Sequence, residues 1–243
     1  RHRAATGQRG WARRIVSDCG RGDSLEVSPR PTGRHMRYDN RQHAGTRLAQ
    51  ALSAWSGLPD LIVLALPRGG VPVAAEVART LGVPLDVLVV RKLGHPGQEE
   101  YAMGAIAAGG VRVRAEPGDW PVTPSELEEI VRREQAELQR RERAYRGDRP
   151  ALSLQGRPVL LVDDGLATGA TMCAAVQAVR MQAPSRIGVA VPVASREALS
   201  AMGALADEVV CPLVPESFHA VGLWYRDFDQ TSDEEVKRFL LVG

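Results

Sequence analysis

The sequence predicts an α/β fold, in which a doubly wound, mostly parallel sheet is flanked by helices and carries a small hood from the C-terminal segment. Short apolar runs alternate with helical patterns, which is typical of parallel strands joined by crossover helices. Polar turns follow two of these runs, where ligands bind in such sheets. With 243 residues and a hydrophobic fraction of 44%, the chain can also bury the core that this fold requires.

The elements follow in a regular order. Asp39 is placed to cap a first helix whose apolar residues, from Ala44 to Trp55, recur at helical spacing. Next come a strand, a helix, a strand, a loop and two paired strands, at 61–66, 71–81, 85–90, 91–102, 103–108 and 111–114. Thr123, Pro124 and Glu126 predict the capped start of a helix that runs to about Tyr145. Strands at 159–162, 187–193 and 208–211 complete the sheet, with a helix beginning near Met172.

The charge is concentrated at the amino terminus. The formal net charge is +2, but residues 1–41 contain ten Arg against four acids, which leaves the remainder at −4. Residues 1–35 also lack an apolar period, so we predict a disordered or non-native basic tail there and one domain over 36–243. Outside the tail no basic face for nucleic acid is evident, and nucleic acid is not the expected partner.

Cysteine usage and hydropathy indicate the compartment. Cys19, Cys173 and Cys211 are odd in number and widely spaced, unlike a zinc site or a disulfide framework. No window approaches the roughly 18 apolar residues of a membrane span. Arg13 and Arg14 are not followed by the apolar region of an export signal. We therefore expect a cytoplasmic protein with no membrane partner.

The segment 159–171 is the most informative part of the chain. Four apolar residues lead into Asp163 and Asp164, and a hydroxyl-rich turn at 168–171 then opens a helix. Backbone N–H groups and the helix dipole at such a turn favour a phosphate, and the two acids can accept hydrogen bonds from sugar hydroxyls. An ordinary turn with an Asp cap is the alternative, but it needs only one acid.

A second anion site is predicted after the first strand. Gly69 and Gly70 let the backbone approach a ligand, and Arg68 supplies a fixed positive charge. A generic tight turn is the alternative for these residues. The distant acidic pair favours the functional interpretation.

The segment 91–102 is rich in Gly, Pro and polar residues, which predicts a mobile loop over the site. Lys92 is one of only two lysines in the chain, and with Arg91 it could offset charge on a departing anion. The acid/base candidates are His95, Glu99 and Glu100, of which Glu100 is preferred because an apolar run restarts just after it.

A hood is predicted over about 212–230. Its aromatic residues are concentrated in a chain that is only 5% aromatic, and such rings can stack on a planar base. We take Phe218, Val221 and Trp224 as base-binding candidates. The alternative is an element that merely packs its aromatic residues on the sheet.

The segment 159–171 resembles the phosphoribosyl-diphosphate (PRPP) signature of type I phosphoribosyltransferases. In that family the acidic pair contacts the ribose hydroxyls and the following loop binds the 5-phosphate. The resemblance implies that Asp163 and Asp164 hold the ribose and a Mg²⁺ ion that bridges substrate oxygens. It assigns the rest of the PRPP site to Ala167, Thr168, Gly169, Ala170 and Thr171.

The resemblance extends to the other segments. It implies that Arg68 to Gly70 bind pyrophosphate, with a non-proline cis peptide at Pro67–Arg68 or its neighbour. It also implies that 91–102 is the catalytic lid. The Phe-x-x-Val-Gly stretch at 218–222 is similar to the purine-closing hood of hypoxanthine-guanine enzymes. Ala167 instead stands where those enzymes usually carry an acid and where adenine and orotate enzymes have a small residue, so the base is left open.

The implied reaction transfers ribose 5-phosphate from PRPP to a purine or pyrimidine base in nucleotide salvage and releases pyrophosphate. The expected partners are PRPP and a nucleobase-like acceptor, and a homodimer is left open. One alternative is a PRPP-sensing regulator that keeps the fold and binds nucleic acid or a protein without turnover. Another is an unrelated nucleotide-binding α/β domain, which would not bind PRPP.

Overall fold

The structure, a computed structural model, describes residues 37–96, 98–108, 111–114 and 122–242, and the side chains of 98–102, 111, 113, 114 and 242 are not among the described parts. The tail predicted at 1–35 lies outside the described residues. The helices are α1 Arg41–Gln50, α2 Gly70–Leu81, α3 Pro124–Arg146, α4 Ala170–Arg180, α5 Arg196–Gly203 and α6 Asp233–Val242. The strands are β1 Ile62–Ala65, β2 Leu85–Val87, β3 Val90–His95, β4 Gln98–Ala107, β5 Val111–Arg114, β6 Pro158–Val162, β7 Arg186–Ala190 and β8 Glu208–Val210.

Five strands form a parallel sheet in the order β2-β1-β6-β7-β8, which confirms the predicted doubly wound sheet. The chain moves outward from β1 to β2 and then returns to place β6 on the other side of β1. Such a reversal is the point at which ligands bind in open α/β sheets. The turns that follow β1 and β6 are therefore neighbours.

The two faces of the sheet carry separate cores. In β6, Val159 and Leu161 pack into one apolar cluster with residues of α4, whereas Leu160 and Val162 belong to a second cluster with residues of α1 and α2. All four side chains are fully buried. Side chains alternate across a strand, so a strand covered on both faces reads as one continuous apolar run.

Two helix starts test the capping predictions. Thr123 and Glu126 form the predicted capping box of α3. The prediction of Asp39 as the cap of α1 is wrong, because Asn40 has the extended backbone of an N-cap and its side chain accepts the His43 N–H at 2.9 Å. Asp39 instead donates its N–H to His43 Nδ1 at 3.1 Å, and its carboxylate forms an ion pair with Arg226.

The segment 91–102 is not the predicted loop, since β3 and β4 form an antiparallel hairpin. The hairpin continues into β5, which confirms the predicted pairing of the next two strands. Leu93 and His95 are buried on one face of β3 despite the polar sequence around them. Packing of that face against α3 favours a strand where the local composition indicates a loop.

A buried ion pair joins the end of α3 to the sheet. Arg146 Nε donates to Asp86 Oδ1 at 2.8 Å and to Oδ2 at 3.1 Å, and the guanidinium also donates to the Val87 carbonyl. Both side chains are at most 10% exposed.

Over the described ranges, none of the helices is both long and apolar enough to cross a membrane.

Candidate functional site

The start of α4 offers an open anion cradle. Gly169 occupies the N-cap with φ +73°, a backbone conformation that glycine adopts readily. It has no side chain to occupy the helix terminus, and the Ala170 N–H donates to Thr168 Oγ1 at 3.4 Å. The positive end of the helix and the first-turn N–H groups that have no partner within the helix can therefore receive a phosphate.

The acidic pair lies at the carboxyl end of β6. Asp163 Oδ1 accepts the Asp164 N–H at 2.8 Å. Burial raises the pKa of Asp163 well above its ordinary range, and the charge of Asp164 raises it further. Burial also raises the pKa of Asp164, against the opposing charge of Arg41. Two partly desolvated carboxylates thus stand beside the cradle and can accept hydrogen bonds from a ligand.

The turn that follows β1 lies directly against these acids. A Cβ atom on Gly69 would approach Asp164 Oδ2 to 2.1 Å, and one on Gly70 would lie 2.9 Å from the Asp163 Cα. Only glycine permits this approach at either position. The Pro67–Arg68 peptide bond is cis, as predicted from the resemblance.

The Arg68 side chain lies at the edge of this turn. Arg68 Nη1 is 3.7 Å from Asp233 Oδ1 at the start of α6. The same carboxylate oxygen accepts the Tyr145 hydroxyl at 3.0 Å. The Arg68 side chain is about one third exposed, so a ligand anion could reach it.

Arg41 is a site residue that sequence reasoning missed. Its Nε donates to Asp164 Oδ2 at 2.8 Å, and its side chain is only 11% exposed. Arg41 belongs to no local motif, and no signal in the sequence marks it. Ser195, at a strand end that the sequence also offers as a pocket candidate, caps α5 and donates its Oγ hydrogen to the Ala167 carbonyl at 2.7 Å, which steadies the turn of the acidic motif.

The hairpin residues are placed as follows. Arg91 donates twice to Glu134 Oε2, at 2.9 and 2.6 Å, and thereby ties β3 to α3. Lys92 is exposed, and His95 is buried. Glu99 and Glu100 lie on β4, but their side chains are outside the described parts, so the preferred acid/base candidate has no described contacts.

The hood packs on the acidic motif. A Cβ atom on Gly165 would lie 2.6 Å from Val221 Cγ1, and the Tyr225 hydroxyl donates to the Asp164 carbonyl at 2.6 Å. Phe218, Val221 and Trp224 are partly buried around a small apolar cluster that contains Tyr225. Of the three base-binding candidates, Val221 is the one whose contact with the motif is described.

The donor set suits a metal that arrives with its substrate. Within the described residues, no group of three or more His, Cys, Asp or Glu side chains is arranged to hold a metal ion. Mg²⁺ commonly takes one or two carboxylates and completes its shell with water and substrate phosphates. Asp163 and Asp164 fit that pattern.

Comparison with known proteins gives consistent matches. The sequence profile described as a phosphoribosyl transferase domain matches residues 38–225. Two Mycobacterium tuberculosis proteins, named provisionally as phosphoribosyl transferases, are 47% identical over 205 residues, which cover 84% of this chain and 46% of each relative. The chain thus spans about half the length of these curated relatives. The crystal structure of TT1426 from Thermus thermophilus is 48% identical, has a TM-score of 0.77, and is matched over 85% of this chain and 99% of that one.

Proposed function

This chain belongs to the phosphoribosyl transferase domain family, and from that premise we propose that it transfers ribose 5-phosphate from PRPP to a nitrogenous base and releases pyrophosphate. One observation carries the proposal. The acidic pair after β6 touches the glycine turn after β1 at Gly69, so the glycine turn, the two carboxylates and the start of α4 adjoin one another. That arrangement suits a donor with a phosphate at one end and a pyrophosphate at the other.

The donor binds where the turn after β1 meets the turn after β6. The open start of α4 takes the 5-phosphate, while Asp163 and Asp164 accept hydrogen bonds from the ribose hydroxyls. The turn at Arg68 to Gly70 takes the pyrophosphate. A base nitrogen attacks the anomeric carbon as the bond to pyrophosphate oxygen breaks, which inverts that carbon and places negative charge on the leaving group. Arg68 is positioned to stabilise this charge.

The hairpin supplies the remaining groups. Lys92 is exposed on β3 and can offset charge on the leaving group when the hairpin closes, and Glu100 on β4 is the candidate that accepts the proton of the attacking nitrogen. Arg91 would offset charge on the leaving group, as Lys92 does, only after its ion pair with Glu134 breaks. Mg²⁺, held by Asp163 and Asp164 with substrate oxygens, would neutralise pyrophosphate charge.

The acceptor is a purine or pyrimidine base that stacks under the hood, in a salvage reaction. Phe218, Val221 and Trp224 supply the apolar surface for stacking. We place the reaction in the cytoplasm, because Cys173 and Cys211 are both free thiols.

The test measures pyrophosphate release from PRPP and Mg²⁺ across a panel of bases, beside direct titration with PRPP. Turnover on at least one base is the expected result. Tight PRPP binding without turnover on any base would instead favour the sensing regulator. A protein that does not bind PRPP at all would contradict the proposed donor.

Gly165→Ala is expected to weaken the acceptor site selectively. The added methyl would collide with Val221, and displacement of the hood by a few tenths of an ångström or more should raise the KM for the base about tenfold. Initial rates at varied base concentration measure this effect. The Kd for PRPP should rise by a smaller factor, because the collision is with Val221 and reaches the donor groups only indirectly, through the bond from Tyr225 to the Asp164 carbonyl.

The matched control combines Gly165→Ala with Val221→Ala, which removes the colliding methyl groups. The double variant should have a lower KM for the base than Gly165→Ala alone. An unchanged KM in the single variant would show that Val221 does not shape the acceptor site.

A further inference from the structure

Arg41 is held on three sides. Its Nε donates to Asp164 Oδ2 at 2.8 Å, and its Nη1 donates to the Asp229 carbonyl at 2.6 Å. Its guanidinium carbon lies 3.8 Å from the centroid of the Phe228 ring, which is the geometry of a cation–π contact. A side chain fixed at three points has little freedom left, so it can fix its partners in turn.

The partner that matters is the Asp164 carboxylate. Among the described residues, Arg41 is the one cation paired with it. A Cβ atom on Gly69 would lie 3.3 Å from Arg41 Nε as well as 2.1 Å from Asp164 Oδ2, so the pair closes directly on the glycine turn. The rotamer of Asp164, and hence the direction of its free lone pairs, depends on Arg41.

These contacts also connect Arg41 and Asp164 to the hood. Phe228 lies over Arg41 and also packs on Tyr225, with ring centroids 4.9 Å apart. Tyr225 in turn donates its hydroxyl hydrogen to the backbone carbonyl of Asp164. Side chain and backbone of Asp164 are thus both linked to the segment that forms the hood.

We propose that Arg41 is a positioning residue, which aims the Asp164 carboxylate at the ribose hydroxyls of the donor and couples that aim to the hood through Phe228. The inference rests on the proposed function for the identity of the donor. Lysine cannot replace Arg41 fully, because a single ammonium cannot hold Asp164, the Asp229 carbonyl and the Phe228 face in one fixed geometry.

The test uses the full chain and two separate probes, ribose 5-phosphate and inorganic pyrophosphate, each titrated with Mg²⁺. Arg41→Gln should raise the Kd for ribose 5-phosphate at least about tenfold and that for pyrophosphate, whose Mg²⁺ Asp164 would help to hold, by a clearly smaller factor. The Kd of Arg41→Lys for ribose 5-phosphate should lie between those of the parent and of Arg41→Gln. Arg47→Gln, an exposed position on the same helix, is the matched control and should change neither Kd.

A second variant covers failure to fold. Phe228→Leu leaves the ion pair in place but removes the aromatic face, and it should weaken ribose 5-phosphate binding in the same direction by a smaller factor. If Arg41→Gln shows no cooperative thermal transition, it is not folded, and the Kd of Phe228→Leu for ribose 5-phosphate then tests the proposal.

Two results would overturn the inference alone: an unchanged Kd for ribose 5-phosphate, or equal weakening of both probes. If the parent protein binds neither probe, the proposed function fails and the inference with it. The two failures are therefore distinguishable.

Discussion

Asp163→Asn is expected to abolish measurable binding of ribose 5-phosphate and yet to stabilise the ligand-free protein by about 1 kcal/mol at pH 7. Binding fails because a carboxylate that accepts ribose hydroxyls becomes a weaker, neutral acceptor. Stability rises because the buried charge beside Asp164 is removed, while the amide oxygen can still accept the Asp164 N–H. The carboxylate thus serves ligand binding at a cost to the stability of the fold.

The pH dependence follows from the direction of the pKa shift. The pKa of Asp163 is higher in the folded than in the unfolded protein, so folding favours the protonated carboxyl. The stability that Asp163 contributes to the parent is therefore complete below the ordinary Asp pKa of about 3.9. That stability is lost as the pH rises through the raised pKa of Asp163 in the folded protein. The advantage of Asp163→Asn should grow with pH over the same window.

Urea unfolding of the parent and the variant at several pH values measures this difference. Asp148→Asn, at an exposed position, is the matched control and should leave both stability and binding unchanged. A variant that is destabilised at pH 7, or a stability difference that does not vary with pH, would contradict the assignment of a raised pKa to Asp163.

Arg146→Met is expected to lower the free energy of unfolding by about 3–5 kcal/mol, because it leaves the Asp86 carboxylate buried without its cation. Methionine is flexible and can fill much of the vacated space, so the loss of charge dominates. Denaturant unfolding with an unchanged m-value would assign the loss to stability and not to a change in cooperativity.

Two comparisons sharpen this test. Combining Arg146→Met with Asp86→Asn removes the unpaired charge and should recover much of the loss. Arg140→Met on the same helix removes an Arg that is 58% exposed and should cost far less. Equal losses at positions 140 and 146 would argue that the Asp86 pair is not the cause.

The sequence predicts those parts of the site that are contiguous. The acidic pair, the α4 turn and the glycine turn each lie within one short segment, and their local chemistry is visible there. Arg41 reaches Asp164 across 123 positions of the chain, so only the folded topology joins them. The neighbours Asp39 and Asn40 are both good caps, and local chemistry alone does not choose between them.

The hairpin shows a different limit. Gly94 and Pro96 indicate a loop, and the short alternation of Leu93 and His95 is too weak to outweigh them. The strand forms because its neighbours are present: β4 pairs with it and Glu134 binds Arg91. Strand formation that depends on tertiary partners is not encoded in local composition.

The seam between β1 and β6 has a consequence for synthesis of the protein. Ile62 pairs with Val159, so the edge of β1 that receives β6 remains unpaired on the ribosome until the hairpin and α3 have been made. At about 5–20 residues per second this wait lasts several seconds, during which an apolar edge is open to wrong partners. The donor cannot protect it, because half of the donor's binding site has not yet been translated.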